Sequence, residues 1–169
     1  AIQHAPNYHR GCTVGPVIGG YFLPVVSCYP APSAHGDSVM TKPMKEIIGG
    51  PIVIGGRELT LSKAVRAGDF VFLTGQVPMQ DGSPMTSGSI EEQTRACLED
   101  ISSTLAEASC ELTDVVKSMV WLKSRADFPG FNAVYGEYFP DGPPARSALV
   151  SDFLVDVRVE IECIAYKVR

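Results

Sequence analysis

Pro143-Pro144-Ala145-Arg146-Ser147-Ala148 is the first of two short apolar stretches near the C-terminus, and the second is Val159-Glu160-Ile161-Glu162-Cys163-Ile164-Ala165. Both stretches have the length and composition of β-strands, and Ser151–Leu154 lies between them. The sequence therefore predicts neighbouring strands at 145–150 and 155–166.

Each predicted strand carries a charged residue among residues typical of a core. Arg146 lies in the first strand and Glu160 in the second. Because a charge in apolar surroundings is costly without a partner, Arg146 must meet either a structural carboxylate or an anionic ligand. If the turn leaves an odd number of residues unpaired, Arg146 and Glu160 lie opposite each other on one face. We expect this register, since it brings both groups within reach of one small ligand.

The remaining pattern predicts an α+β fold with the element order β-β-α-β-α-β-β. Apolar periodicity indicates strands at 45–54, 69–77 and 115–123, and helices at about 90–109 and 127–139. Ser89 and Glu92 form a capping box at the start of the first helix, and Asp127 is positioned to cap the second. Right-handed crossovers place both helices on one face of the sheet.

The opposite face of this sheet has no predicted cover, although its strands are apolar on both sides. Met119 and Trp121, for example, lie in the strand at 115–123. A sheet that is apolar on both faces requires a partner for the uncovered one. The sequence therefore predicts an obligate homo-oligomer, in which a site between subunits is plausible.

The chain divides near Met40 into two parts. Residues 1–39 are rich in Gly, Pro, Ser and Ala, and we interpret them as an irregular N-terminal extension or a non-native leader, with Met40 as the natural start. Residues 40–169 form one predicted domain. No stretch is apolar enough to span a membrane. The five cysteines are not spaced as CxxC, and Cys97 and Cys163 lie on apolar faces, which indicates core residues in a reducing, cytoplasmic compartment.

Composition argues against several classes of function. The net charge is −5 and the chain has no block of Lys or Arg, so the composition disfavours nucleic acid as a partner. The only histidines, His4, His9 and His35, precede the domain, which excludes a histidine triad and a histidine-rich metal site within it. We expect neither a metal nor a cofactor.

Four motifs in register resemble the RidA/YjgF family of reactive-intermediate deaminases, also called the L-PSP endoribonuclease family. They are Gly68-Asp69-Phe70-Val71-Phe72-Leu73-Thr74-Gly75-Gln76-Val77-Pro78, Glu92-Gln93-Thr94-Arg95, Asp127-Phe128 with Phe131-Asn132-Ala133-Val134-Tyr135, and Pro144-Ala145-Arg146-Ser147 with Val159-Glu160-Ile161-Glu162. The resemblance covers about residues 61–168. It implies a chorismate-mutase-like homotrimer with ligand sites in the clefts between subunits.

The resemblance also implies hydrolysis of enamine or imine acids, such as 2-aminoacrylate, to a 2-keto acid and ammonia. Arg146 would hold the substrate carboxylate through a bidentate pair, and Glu160 would position the water or carry its proton. Thr74 and Gly75 match pocket positions of the family. Ala148 contributes at most a backbone N–H group, and Asn132 matches a polar position beside the site.

Two positions depart from the founding branch of that family. Leu61 stands where a tyrosine is found there, and Ala148 stands where a cysteine is often found. A mechanism that needs the hydroxyl or the thiol cannot operate here, and the substrate range is expected to shift toward more apolar side chains. Two alternatives to the deaminase stay open: a non-catalytic module that binds small carboxylates, and an endoribonuclease or translation inhibitor.

Overall fold

A six-stranded mixed sheet with two helices forms the part of the chain that the computed structural model describes, residues 45–169. The predicted extension at 1–39, Met40, the three histidines and two of the cysteines lie outside the described residues. The elements are β1 (Glu46–Ile54), β2 (Arg57–Ala67), β3 (Phe70–Leu73), β4 (Met79–Gln80), β5 (Ser83–Pro84), α1 (Ile90–Glu107), β6 (Val115–Leu122), α2 (Phe128–Tyr138), β7 (Ala145–Val150) and β8 (Val159–Tyr166). The sheet order is β1-β2-β3-β8-β6-β7, and β4 and β5 form a separate hairpin.

The sequence pattern missed one strand of the six-stranded sheet, β2, and the short β4–β5 hairpin. Strand β2 spans Arg57–Ala67 and pairs antiparallel with both β1 and β3. Its many charged and hydroxyl residues hide the alternation that identified its neighbours. At Gly49-Gly50 the pairing of β1 with β2 shifts in register, and Gly49 has a φ of 78°.

The expectation of a C-terminal hairpin was wrong. Strand β6 lies between β7 and β8, pairing parallel with β7 and antiparallel with β8. The parallel pairing arises because α2 crosses over between β6 and β7, and the following loop carries the chain past β6. Strand β7 is consequently an edge strand, and proximity along the chain does not place it beside β8.

The predicted register was also wrong, because Arg146 and Glu160 lie on opposite faces of the sheet. Arg146 is aligned with Ser118, whose hydroxyl lies 2.7 Å from the Tyr135 hydroxyl on α2. Glu160 is aligned with Trp121, three residues further along β6. Because side chains alternate along a strand, Arg146 is on the helix-covered face and Glu160 on the other.

Both helices begin where the sequence predicted, although only one does so by the expected contact. Glu92 N donates to Ser89 Oγ and Ser89 N donates to Glu92 Oε2, so the capping box of α1 is confirmed. The Asp127 carboxylate makes no capping hydrogen bond to α2, and instead accepts from Nε and Nη2 of Arg158. Asp127 is almost fully buried, so a guanidinium is a more effective partner for its charge than a helix end.

The core lies between the helices and one face of the sheet. Strand β8 shows the pattern most clearly, with Val159, Ile161, Cys163 and Ala165 buried and the intervening residues more exposed. Cys97 and Cys163 are buried with free thiols, as predicted for core residues, and burial raises the pKa of Cys163 to about 12. No helix of residues 45–169 is both long and apolar enough to cross a bilayer.

The other face of the sheet is uncovered within the described chain, as predicted. Phe70, Phe72, Leu149 and Tyr166 are each 43% exposed there, and the rings of Phe70 and Tyr166 meet edge to face at 5.1 Å. Large apolar side chains exposed together on one sheet face are typical of a protein interface. The face formed by these residues with Met119, Trp121 and Ile164 is called the open face below.

Candidate active site

Arg146 is held over a group of aromatic rings at the edge of the sheet. Its Cζ lies 4.5 Å from the ring centroid of Tyr135 and 5.2 Å from that of Phe131, both of which are buried side chains of α2. Its Nη2 donates to Asn132 Oδ1 at 2.7 Å. Cation–π contacts and one amide hydrogen bond fix the guanidinium without neutralising its charge.

The first of the two possibilities for Arg146, a structural carboxylate partner, is not found in the described chain. Within residues 45–169 the salt bridges of the arginines join Arg95, Arg158 and Arg169 to carboxylates, and none involves Arg146. A guanidinium has five N–H donors, so an oriented fork remains for an anion. Ala148 lies two residues along β7 with its side chain exposed, on the same face as Arg146.

Glu160 lines a cavity of about 380 Å³ at the end of the β1–β2 hairpin. Thr74, Gly75 and Asp100 contribute to the polar side of this cavity, together with Lys63 and Gln76. The remaining lining is apolar: Ile52, Ile54, Leu59, Leu61, Val77, Met79, Leu154 and Val155. A cavity of mainly apolar lining with a few convergent polar groups is typical of a small-molecule site.

The absence of a side chain at Gly75 leaves room for the Glu160 carboxylate. A methyl group on Gly75 would overlap with Glu160 Oε1 and lie 3.0 Å from Cδ. The backbone of the loop after β3 therefore approaches the carboxylate more closely than any other residue type allows. Burial raises the pKa of Glu160, and the charge of the neighbouring Glu162 raises it further. Such a carboxylate takes up a proton more readily than an exposed one, which suits acid–base work.

Sequence reasoning missed a second carboxylate of this cavity, Asp100. It lies on α1 beside the buried stripe, and burial raises its pKa, although the charge of Lys63 acts in the opposite direction. Lys63 itself donates from Nζ to Glu107 Oε1 at 2.6 Å. The only signal in the sequence was the position of Asp100 three residues after Cys97, which places it next to the core face of the helix.

The structure brings the predicted site residues together in two groups. Arg146 and Asn132 form one group with Ala148, whereas Glu160, Thr74 and Gly75 form the other at the cavity. The open-face position of Glu160 keeps the two groups apart in one chain. Within residues 45–169 no three His, Cys, Asp or Glu side chains cluster in a way that could hold a metal ion.

Comparison with protein families gives one match that covers most of the described chain. A family model described as Endoribonuclease L-PSP matches residues 57–167. A RutC family protein of Pyrococcus horikoshii is 43% identical over 129 residues, which cover 73% of this chain and 99% of that protein. Protein MMF1, mitochondrial, of Saccharomyces cerevisiae is 34% identical over 105 residues, which cover 62% of this chain and 72% of that protein.

Solved structures agree with these matches. The crystal structure of yeast Mmf1 has a TM-score of 0.66 at 30% identity, covering 73% of this chain and 98% of that one. YyfA of Yersinia pestis, a member of the Rid protein family, has a TM-score of 0.65 at 28% identity, covering 73% of this chain and 99% of that one. The mixed sheet with two helices is therefore shared with proteins of known structure.

Proposed function

Because this chain belongs to the Endoribonuclease L-PSP family, the family of the RidA and YjgF proteins, we propose that it hydrolyses 2-imino acids to 2-keto acids and ammonia. The observation that carries the proposal is the Glu160 carboxylate, whose pKa is raised by burial in a cavity that it shares with Thr74. Arg146, clamped over aromatic rings without a carboxylate partner in the described chain, supports the same proposal as an anchor for the substrate carboxylate.

The reaction needs one general base that later acts as an acid. Glu160 accepts a proton from water while the water oxygen bonds to the imine carbon, and the C=N electron pair moves to nitrogen. Glu160 then returns the proton to nitrogen. Glu160 next accepts the hydroxyl proton and passes it to the nitrogen, so the C–N bond breaks as the hydroxyl oxygen becomes the carbonyl of the keto acid, ammonia leaves and one water is consumed. Thr74, which lines the same cavity, supplies a hydroxyl to it.

The two groups of site residues meet, in this proposal, between copies of the chain. Arg146 of one subunit anchors the carboxylate, and Glu160 of a neighbour acts on the imine carbon. The exposed aromatic residues of the open face support such an assembly, because an uncovered apolar sheet face needs a partner. A homotrimer is the assembly that the family resemblance implies.

Replacing Phe72 with aspartate tests the assembly. Phe72 is exposed in the single chain, so the subunit fold should survive, whereas a charge buried between open faces should dissociate the oligomer. We expect sedimentation velocity to show trimers for the parent protein and monomers for the variant, with loss of turnover. Val168→Asp is the control, because Val168 is exposed beyond the end of β8. A stable monomer of the parent protein at micromolar concentration would contradict the prediction.

The pH dependence of turnover tests the role of Glu160. The group must be deprotonated to accept the proton of water, so kcat/KM should rise with pH through the pKa of Glu160, which burial and Glu162 raise. Glu162→Gln removes one of the two causes of the raised pKa. The rise of kcat/KM with pH, the acidic limb of the profile, should therefore move to lower pH. Glu91→Gln, an exposed change of the same charge on α1, should leave the limb in place. An unmoved limb in Glu162→Gln would remove Glu160 as the titrating group.

One assay separates the proposed enzyme from its alternatives. Imines are made in place by a serine/threonine dehydratase or an amino-acid oxidase, and keto-acid release is measured above the spontaneous rate. Acceleration supports the deaminase, whereas pyruvate binding without acceleration supports the binding module. The net charge of −5 and the Glu160–Glu162 pair on the open face disfavour RNA as substrate. A cytoplasmic location stays a prediction, since the yeast relative is named as mitochondrial.

A further inference from the structure

The cavity beside Glu160 has an apolar wall that the proposed chemistry does not need. Ile52, Ile54, Leu59 and Leu61 supply this wall from the two strands of the β1–β2 hairpin. Leu61 is 44% exposed in the single chain. A polar side chain at this position would be well solvated, so an apolar one calls for an explanation. Water, ammonia and the carboxylate of a substrate gain nothing from such a surface, so the wall serves a different part of the ligand.

We infer that this wall binds the side chain of the substrate, and that the chain prefers 2-imino acids with large branched or unbranched aliphatic side chains, such as the imine derived from leucine. This inference rests on the proposed function. The α-carbon of the substrate lies at Glu160 and Thr74, and its side chain extends along the hairpin toward Leu61. The imines of alanine and serine, whose side chains are too short to reach Leu61, leave the wall wet.

The size of the preference follows from the apolar area that the longer side chain buries. Each methylene removed from water contributes about a fourfold gain in binding. The leucine imine carries three more side-chain carbons than the alanine imine, so their full burial should favour it in kcat/KM by about 60-fold. The preference arises from contacts with the wall alone, because both imines present the same carboxylate and the same C=N group.

The experiment compares leucine and alanine imines, each made in place by an amino-acid oxidase with catalase present, on three proteins. Leu61→Asn keeps the approximate volume and makes the wall polar, and should lower the leucine-to-alanine ratio of kcat/KM about tenfold. Val53→Asn is the matched control, because Val53 is half exposed on the same hairpin and does not line the cavity. It should keep the ratio of the parent protein.

A binding measurement distinguishes failure of this inference from failure of the proposed function. Calorimetry with 4-methyl-2-oxopentanoate and pyruvate should show the same preference for the larger acid, lost in Leu61→Asn, even if no imine is turned over. Turnover with equal or better use of the alanine imine would overturn the inference and leave the deaminase standing. A ratio that Leu61→Asn does not change would overturn it as well, since the wall would then contact no side chain.

Discussion

Replacing Arg146 with alanine is expected to lower kcat/KM for 2-imino acids by about 10³-fold, since truncating one partner of a hydrogen-bonded charge pair costs about 2–5 kcal/mol. Arg146→Lys keeps the charge and should still lose about 10²-fold, because an ammonium cannot reproduce the planar fork that binds a carboxylate through two parallel hydrogen bonds. Keto-acid release from the leucine imine measures both variants. Pyruvate calorimetry should show the matching loss of binding.

The fold should tolerate both substitutions, which makes the loss of activity interpretable. Arg146 is partly buried on an edge strand, and no salt bridge of the described chain breaks when it is removed. Tyr135 keeps its hydrogen bond to Ser118 beneath it. Arg125→Lys is the matched control, because Arg125 is exposed and outside both groups of site residues. Unchanged pyruvate binding by Arg146→Ala would remove the anchor from the mechanism.

The strands and helices with strong periodicity were predictable from the sequence. The helix that begins at Ser89 followed from its capping box and its apolar stripe, and β6, α2 and β7 were found within one or two residues. Strand β6 and the two helices bury one face each, so the period of their apolar residues reports the structure directly, whereas β7 is largely exposed in the single chain. Strand β2 lacks that signal because charged and hydroxyl residues occupy much of it, and its pairing with two neighbours compensates for the missing pattern.

The candidate site residues could be selected from the sequence, but the predicted arrangement of Arg146 and Glu160 was wrong. Arg146 and Glu160 were recognisable because each is a charge among apolar residues. In the structure Arg146 lies over the Tyr135 ring, and burial raises the pKa of Glu160. Their mutual placement depends on which strand enters between β7 and β8, and nothing in the short loop after β7 determines that choice. It is made by the α2 crossover, which aligns β7 with β6 and leaves the other edge of β6 for β8.

Replacing Glu160 with glutamine is expected to lower turnover by about 10²–10⁴-fold while pyruvate binding is largely kept, because an amide cannot accept the proton of water. The fold should become more stable at neutral pH. The raised pKa means that the folded chain binds this proton more readily than the unfolded chain, so the free energy of unfolding falls as pH rises through that pKa. Glu160→Gln has no charge to bury, so its free energy of unfolding does not fall in this way. Thermal melting at neutral pH should therefore show a higher Tm for the variant. Normal turnover by Glu160→Gln would exclude it as the general base.

Gly75→Ala should reproduce the catalytic loss while Glu160 itself is unchanged. The added methyl group meets the end of a flexible side chain, so the backbone can stay in place while the carboxylate moves away from Thr74. A misplaced base loses rate steeply, since the reacting atoms must lie within hydrogen-bond reach. Gly136→Ala is the control: Gly136 lies within α2, has open space where the methyl would stand, and should gain about 1 kcal/mol of helix stability. If Gly75→Ala kept full turnover, the position of the Glu160 carboxylate seen here would not be the catalytic one.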